Sequence, residues 1–269
     1  MVSIAKNKKK TPAAPTPATR KRASRTAVHA ANPGEDTAPA APRKRLQGEE
    51  RERTIVQEAV RFFAEVGFDG DTRELARRLG VTQSLIYRYF PTKAALIDRV
   101  YQEVYVGRWN PYWETIIADR SMPLQDRLTR LYSDYARTAL TWDWVRIFMF
   151  SGLRNEDINK RYLEFLRSRI LEPIATEIRA SLHLPAPTEL PLTTAEIELV
   201  WGINARVFYW GQRHWIFDVP MEEDLDAMIA LTISHFIKGA ESVIPQLLKE
   251  SGATTRQSTK KNNFWPDRS

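Results

Sequence analysis

From Glu49 onward the apolar residues recur at helical spacing, and Gly67, Gly80 and Pro91 cut that pattern into short pieces. Ile55, Ala59, Phe62, Phe63 and Val66 fall at i, i+4, i+7, i+8 and i+11, one face of a helix. Gly67 then stops it, since glycine takes the left-handed conformation that ends helices. Asp71 stands as the next N-cap, with Glu74 three residues on in a capping-box-like arrangement. Leu75, Ala76 and Leu79 give the second helix an apolar face, and Gly80 ends it after two turns. Thr82-Gln83-Ser84 opens a third helix through Phe90, which Pro91 closes. Thr92 caps a fourth, carrying Leu96, Val100 and Val104. Four helices joined by turns of two to five residues make a compact unit of about 45–60 residues.

The remainder also reads as helix. Leu124–Leu140 places Leu128, Leu131 and Tyr135 on or near one face, and Trp142–Leu153 is short and very apolar. Asp157–Leu182 is long, with Pro173 expected to kink it. Leu184–Thr194 holds three prolines and reads as a loop. Ala195–Trp215 and Glu222–Leu248 read as two long helices. No stretch shows period-two alternation, so the expected fold class is all-α.

Charge is unevenly placed. The whole chain carries +7, but residues 1–47 hold eleven Lys or Arg against Glu35 and Asp36, a net +9 that leaves residues 48–269 at −2. That segment is rich in Ala, Pro and Thr and has almost no large apolar side chains, so it is expected to be disordered. Its basic clusters either lie along DNA phosphates or serve as a solubilising extension. Cysteine is absent, which removes disulfides and thiolate chemistry. No apolar run of about 18 residues is present, so no membrane-spanning helix is expected.

A helix-turn-helix requires two short helices crossing steeply over a tight turn anchored by an apolar residue. Thr72–Leu79 supplies the first helix, Gly80 the reversal and Val81 the anchor. The second helix exposes Thr82, Gln83, Ser84, Tyr87 and Arg88, which reach phosphates or base edges, while Ile86, Tyr89 and Phe90 face inward. Arg77 and Arg78 read equally as a solvated helix face. Residues 48–93 balance eight basic against eight acidic side chains, so binding here would depend on placed contacts rather than overall charge.

The run from Thr72 through Gly80, Val81, Tyr87, Tyr89-Phe90 and Lys93 to Leu96 resembles the DNA-binding domain of the tetracycline-repressor (TetR) family. From Leu75-Ala76 to Leu96 it fills without a gap that family's pattern, roughly T-x-x-x-[LI]-A-x-x-x-G-[VL]-[ST]-x-x-x-[LI]-Y-x-[YH]-F-x-[ST]-K-x-x-L, with Thr72 one residue nearer Leu75 than the pattern's threonine. The resemblance implies that Thr72 and Arg73 contact phosphates or a base edge. It makes Thr82, Gln83, Ser84 and Leu85 the leading residues of the recognition helix, sends Tyr87 to the backbone and Arg88 toward the groove, and lets Lys93 share a phosphate with the N-terminus of the fourth helix. Thr72 reads alternatively as no more than the first helical residue beside Asp71.

The implied organisation is a disordered basic tail over 1–47 and a helix-turn-helix domain over 48–108, with the motif at 71–90. A long helix joins it to a helical ligand-sensing and dimerisation domain over 109–250, and a second disordered tail covers 251–269. The resemblance implies a cytoplasmic transcriptional regulator, a ligand-released repressor binding a palindromic operator in double-stranded DNA as a homodimer. Its small-molecule effector is not identified by the residues, and some relatives activate instead. Paired copies of the last two long helices would form a four-helix bundle, with Gly202, Ala205 and Gly211 small enough for close approach. Asn204, Arg206, Tyr209 and Gln212 are the expected polar groups of an effector pocket. No catalytic residue, metal site or cofactor is expected: His29, His183, His214 and His235 are far apart, and neither a glycine-rich phosphate loop nor a GxSxG elbow occurs. The rival reading is an architectural DNA binder working through the basic tail, indifferent to sequence.

Overall fold

The computed structural model describes residues 41–154, 157–221 and 224–254. The chain divides into a unit of Met1–Ala41 and a unit of Pro42–Ser269, and among the described residues there are eleven α-helices. They are α1 (Ala41–Val66), α2 (Thr72–Leu79), α3 (Gln83–Tyr89), α4 (Lys93–Tyr101), α5 (Tyr112–Ala118), α6 (Leu124–Ala139), α7 (Trp142–Arg154), α8 (Asp157–Leu166), α9 (Glu172–Ser181), α10 (Thr194–Trp215) and α11 (Leu225–Thr254). Among the described residues there is no strand, and the fold is all-α. The first helix begins inside the segment expected to be a tail, because Arg43 to Arg53 is almost entirely Arg, Lys, Leu, Gln and Glu, all strong helix formers. Residues 1–40 and 255–269, the rest of the two expected tails, lie outside the described residues.

Ile55, Val56, Ala59, Val60, Phe62 and Phe63 bury the inner face of α1. Val66, expected on that face, is instead exposed. Gly67 turns the chain at φ +75°, and Phe68 folds back beneath the helix, its ring centroid 5.2 Å from that of Phe63. The end of α1 is held by the second half of the molecule. Arg146 of α7 donates from Nε to the Ala64 carbonyl at 2.5 Å and from Nη2 to that of Glu65 at 3.3 Å, a cation placed on carbonyls that have no helical partner. Arg161 of α8 makes the corresponding link to α4, pairing with Asp98 at 2.8 Å and lying 4.0 Å over the Tyr101 ring.

Two departures from the expected helices have local causes. Helix α5 went unread because two turns hold only three buried apolar residues, Trp113, Ile116 and Ile117, too few to show a period. The kink expected at Pro173 is resolved by a π-helical turn at Arg167–Leu171. That turn ends one hydrogen-bond ladder, and Pro173 enters as the second residue of α9, where its missing N–H has no partner to lose. A π turn at Gln102–Val106 also extends α4 toward α5.

Helices α10 and α11 pack beside each other on one continuous core. Val200, Ile203 and Val207 of α10 and Met228, Ile229, Ile233 and Ile244 of α11 are buried within the chain. Gly211 is buried too: a Cβ there would lie 3.4 Å from Val145 and 3.6 Å from Leu140, so its smallness serves packing inside the chain. The stretch Leu225–Glu250 is long and apolar enough to cross a bilayer by length and composition alone, a pattern not anticipated from the absence of an unbroken apolar run. Its apolar groups are shared between this core and an outward strip containing Leu231 and Val243.

The proline-rich loop before α10 is fastened by a buried ion pair. Arg179 reaches Glu196 at 2.6 and 2.7 Å, with both side chains fully buried. It also donates to the carbonyls of Pro185 at 3.1 Å, Pro191 at 3.0 Å and Leu190. Glu196 in turn accepts from the Thr193 N–H at 2.8 Å, completing the capping box of α10. Burial alone would push the Glu196 carboxyl up. The hydrogen bonds from Arg179 and Thr193 outweigh it and hold the group below its ordinary value of 4.5. Arg179→Met is expected to cost about 3–5 kcal/mol at neutral pH, because it strands a buried carboxylate; urea denaturation reads this. A depressed folded-state pKa contributes stability that is complete above pH 4.5 and lost as pH falls below it. The stabilities of wild type and variant should therefore converge in acid.

Candidate DNA-binding site

Helices α2 and α3 are each about two turns long and are capped at both ends. Asp71 Oδ1 accepts the Arg73 N–H at 2.8 Å. Gly80, at φ +64°, closes α2 through its N–H to the Arg77 carbonyl at 3.2 Å, and the Val81 N–H reaches the Ala76 carbonyl at 3.0 Å. Val81 packs half-buried on the core, as a turn anchor should. Thr82 Oγ accepts the Leu85 N–H at 3.3 Å and pairs with Ser84 Oγ at 3.0 Å. Ile86 and Phe90 are buried and Tyr89 is half-buried. Gly70, in the turn before α2, admits no side chain, since a Cβ would sit 2.5 Å from the Phe62 ring.

Glu74 does not complete a capping box. Its carboxylate is taken by Arg77 at 2.7 Å from both Nε and Nη2, and by Arg78 at 3.4 Å. The hydrogen bond from Arg77 is the main reason its pKa falls to about 2. Arg78 also pairs with Glu65 at 2.5 Å. Both guanidiniums are thus matched by carboxylates on one side of α2. Arg73 and Arg88 are exposed and have no ion pair among the described residues.

Thr72 is where the structure departs most from its expected role. It is buried, with 4% exposure, so it offers little surface to a nucleic acid. Its hydroxyl accepts from Gln83 Nε2 at 2.6 Å and lies 3.1 Å from Tyr87 Oη. One hydroxyl at the head of α2 therefore holds the first residue of α3 and the residue one turn later. When Thr72 gives its own proton to Tyr87, the phenol proton is left to point outward. Gln83 keeps its carbonyl oxygen and one amide proton for another partner. Tyr87 is 37% exposed, and Thr82, Ser84 and Arg88 are exposed beside it, while Leu85 is half-buried. Lys93 is half-buried, and its ammonium donates to the Gly70 carbonyl at 2.9 Å. It stands on the first turn of α4, which Thr92 caps through the Ala95 N–H at 3.0 Å, and two of its three protons remain.

The four residues expected to line an effector pocket do not come together. Asn204 points inward, with its Oδ1 buried and without a partner among the described residues, at a closed seam beside Tyr132, Tyr135 and Trp113. The Tyr132 hydroxyl is also buried without a partner among the described residues, and burial pushes it far above the ordinary tyrosine range, so it stays neutral. Arg206 and Tyr209 are on the exposed side of α10. Gln212 donates to Met149 Sδ at 3.0 Å. Tyr132 went unread because only the fold shows that its hydroxyl lacks a partner. Among the described residues, no group of three His, Asp or Glu is placed to hold a metal ion.

Two capped short helices with a glycine reversal between them, borne on a longer helix, define a helix-turn-helix DNA-binding domain. Residues 55–100 match the family model for bacterial regulatory proteins of the tetR family. The class D tetracycline repressor of Escherichia coli and the class H tetracycline repressor of Photobacterium damsela subsp. piscicida are each 29% identical over 96 residues. That is 32% of this chain and 43% of theirs, so the matched part spans less than half the length of these relatives. A solved tetR-family transcriptional regulator from Streptomyces coelicolor, 18% identical, shares the fold with a TM-score of 0.51 over 77% of this chain and 87% of its own. The helix-turn-helix part of this chain is thus similar to the DNA-binding domain of bacterial regulatory proteins of the tetR family.

The Thr72 hydroxyl predicts a measurable coupling. In a double-mutant cycle on unfolding free energy, Thr72→Val and Gln83→Ala should interact by about 0.5–1.5 kcal/mol, since each removes the same hydrogen bond. Strict additivity would show that the contact contributes nothing.

Proposed function

We propose that the chain is a sequence-specific transcriptional regulator that binds a palindromic operator in double-stranded DNA as a homodimer. The observation that carries this reading is the outward side of α3. Thr82, Ser84, Tyr87 and Arg88 are exposed on a helix whose other side is buried by Ile86. Gln83 is fixed at its N-terminal end by Thr72. A rigid helix with polar groups at its leading end is the part that enters a major groove. In this reading Thr82, Gln83, Ser84 and Leu85 meet the bases. Arg73, Tyr87, Arg88 and Lys93 hold phosphates, and Thr72 positions Gln83 and Tyr87 rather than touching DNA.

The dimer is supported by the outer surface of α10 and α11. Tyr209, Leu231 and Val243 are exposed there, and a Cβ on Gly202 or Gly239 would meet nothing within 4 Å. Two helices from each of two copies would close this surface as a four-helix bundle. Two-fold symmetry then sets two recognition helices on half-sites of a palindrome.

A small-molecule effector completes the reading. Asn204 and Tyr132 carry two buried oxygens without partners among the described residues, beside a seam with no room for a water, so an effector that satisfies them would have to part α6 from α10. The links from Arg146 to the end of α1 and from Arg161 to α4 offer a route from this seam to the recognition helix. An effector that favours a different spacing of the two recognition helices would release DNA, which makes the protein a cytoplasmic repressor acting by occupancy of its operator.

Binding measured against salt with the best operator and with scrambled DNA tests the assignments. Gln83→Ala is expected to lose about 1–3 kcal/mol of discrimination between the two. Lys93→Ala should weaken both similarly and lower the slope of log K against log salt by about 1. A Gln83→Ala protein that retains full discrimination would remove the base-reading role.

A further inference from the structure

A concave site lies between the DNA-binding domain and the rest of the molecule, away from the Asn204 seam. It is a groove of about 520 Å³, inside the range of about 300–1,000 Å³ of small-molecule sites. Trp142 of α7, Trp210, His214 and Trp215 of α10 and Arg61 of α1 line it. Its aromatic walls are mutually ordered. The Trp210 and His214 rings stack with centroids 5.7 Å apart, and the Trp215 ring meets His214 edge-on at 4.0 Å. Arg146 lies 5.3 Å over Trp142.

The polar groups around these walls are unequally occupied. Trp215 spends its indole N–H on the Leu140 carbonyl at 2.7 Å. The indole N–H of Trp210 is buried and has no acceptor among the described residues, a cost that packing alone does not explain. Charges at the rim are matched with one exception. Asp143 is filled by Arg108 at 3.1 and 2.5 Å and by Thr141 at 2.5 Å. Arg137 pairs with Asp226. Among the described residues Arg61 has only Glu58, at 3.9 Å, with its own side chain 73% exposed. The groove thus offers planar apolar walls and one weakly paired, exposed guanidinium, while the Trp210 N–H is closed off from it.

We propose that this groove binds a planar aromatic acid, its rings against Trp142 and Trp210, with the carboxylate reached by Arg61. An aromatic face satisfies the indole walls, and a carboxylate suits a guanidinium better than any neutral group does. Arg61 belongs to α1 and Trp210 to α10, so an occupant touches the DNA-binding domain and the helix proposed for dimerisation together.

Isothermal titration of the full chain with 1-naphthoate, without DNA, tests the site. Saturable binding is expected, with 1-naphthylmethanol weaker because it lacks the charge. Arg61→Gln removes the charge and should weaken 1-naphthoate about 3–10-fold, the loss of one charged hydrogen bond. Trp142→Ala and Trp210→Ala each remove a wall and should weaken it at least tenfold. Thermal melts establish that each variant is folded, and the exposed Arg61→Gln is conservative enough to keep the test decisive if a tryptophan variant is not. No saturable binding, as when a second copy covers the groove in solution, would overturn the proposal. So would equal affinity in all three variants. Because the titration contains no DNA, its failure leaves the operator reading standing, and failure of operator binding leaves this site standing.

Discussion

A seven-residue helix does not hold itself in place. In water, isolated helices shorter than about 12–15 residues are marginal, yet α3 must present its side chains at fixed positions for any reading of a groove. Everything around it answers that constraint. Ile86 and Phe90 are buried in the apolar core. Thr82 caps its start. The Thr72 hydroxyl ties Gln83 and Tyr87 to α2. The recognition surface is thereby rigid without owning a core, and its polar groups are ordered before a partner arrives.

The same logic extends outward. The last carbonyls of α1 are taken by Arg146 from α7, whose neighbour Phe150 also packs against Gly67, where a Cβ would lie 3.0 Å from the ring. Helix α4 is gripped by Arg161 through Asp98 and Tyr101. Both helices that carry the helix-turn-helix are therefore fastened to the larger half at specific polar points as well as through the shared apolar core. Such points have discrete made and broken states, the kind of element through which a bound molecule redistributes conformations.

Much of this was legible in the residues. Gly67 and Gly80 require positive φ, and Thr82, Thr92 and Asp71 are natural caps; the structure uses each in that way. The all-α class and the long helices α6, α10 and α11 followed from period alone. What escaped was relational. Thr72 looked like a surface contact because nothing local shows that two side chains from the next helix converge on it. Glu74 fitted a capping box, but adjacent arginines competed for its carboxylate more strongly. Asn204, Arg206, Tyr209 and Gln212 were grouped as polar residues on one helix, although the helix turns them to different surroundings. The aromatic groove was invisible for the same reason: the meeting of Trp142 with Trp210 is a property of the fold.

The central claim is that a symmetric pair of these rigid helices reads a defined sequence. Selecting DNA from a random pool with the full chain, then mapping the bound fragment by hydroxyl-radical footprinting, tests it most directly. The account predicts a shared inverted repeat whose protected half-sites lie about 34–36 Å, one helical turn, or a multiple of that, apart on the duplex. A pool with no common sequence, or protection spread evenly along the fragment, would contradict it.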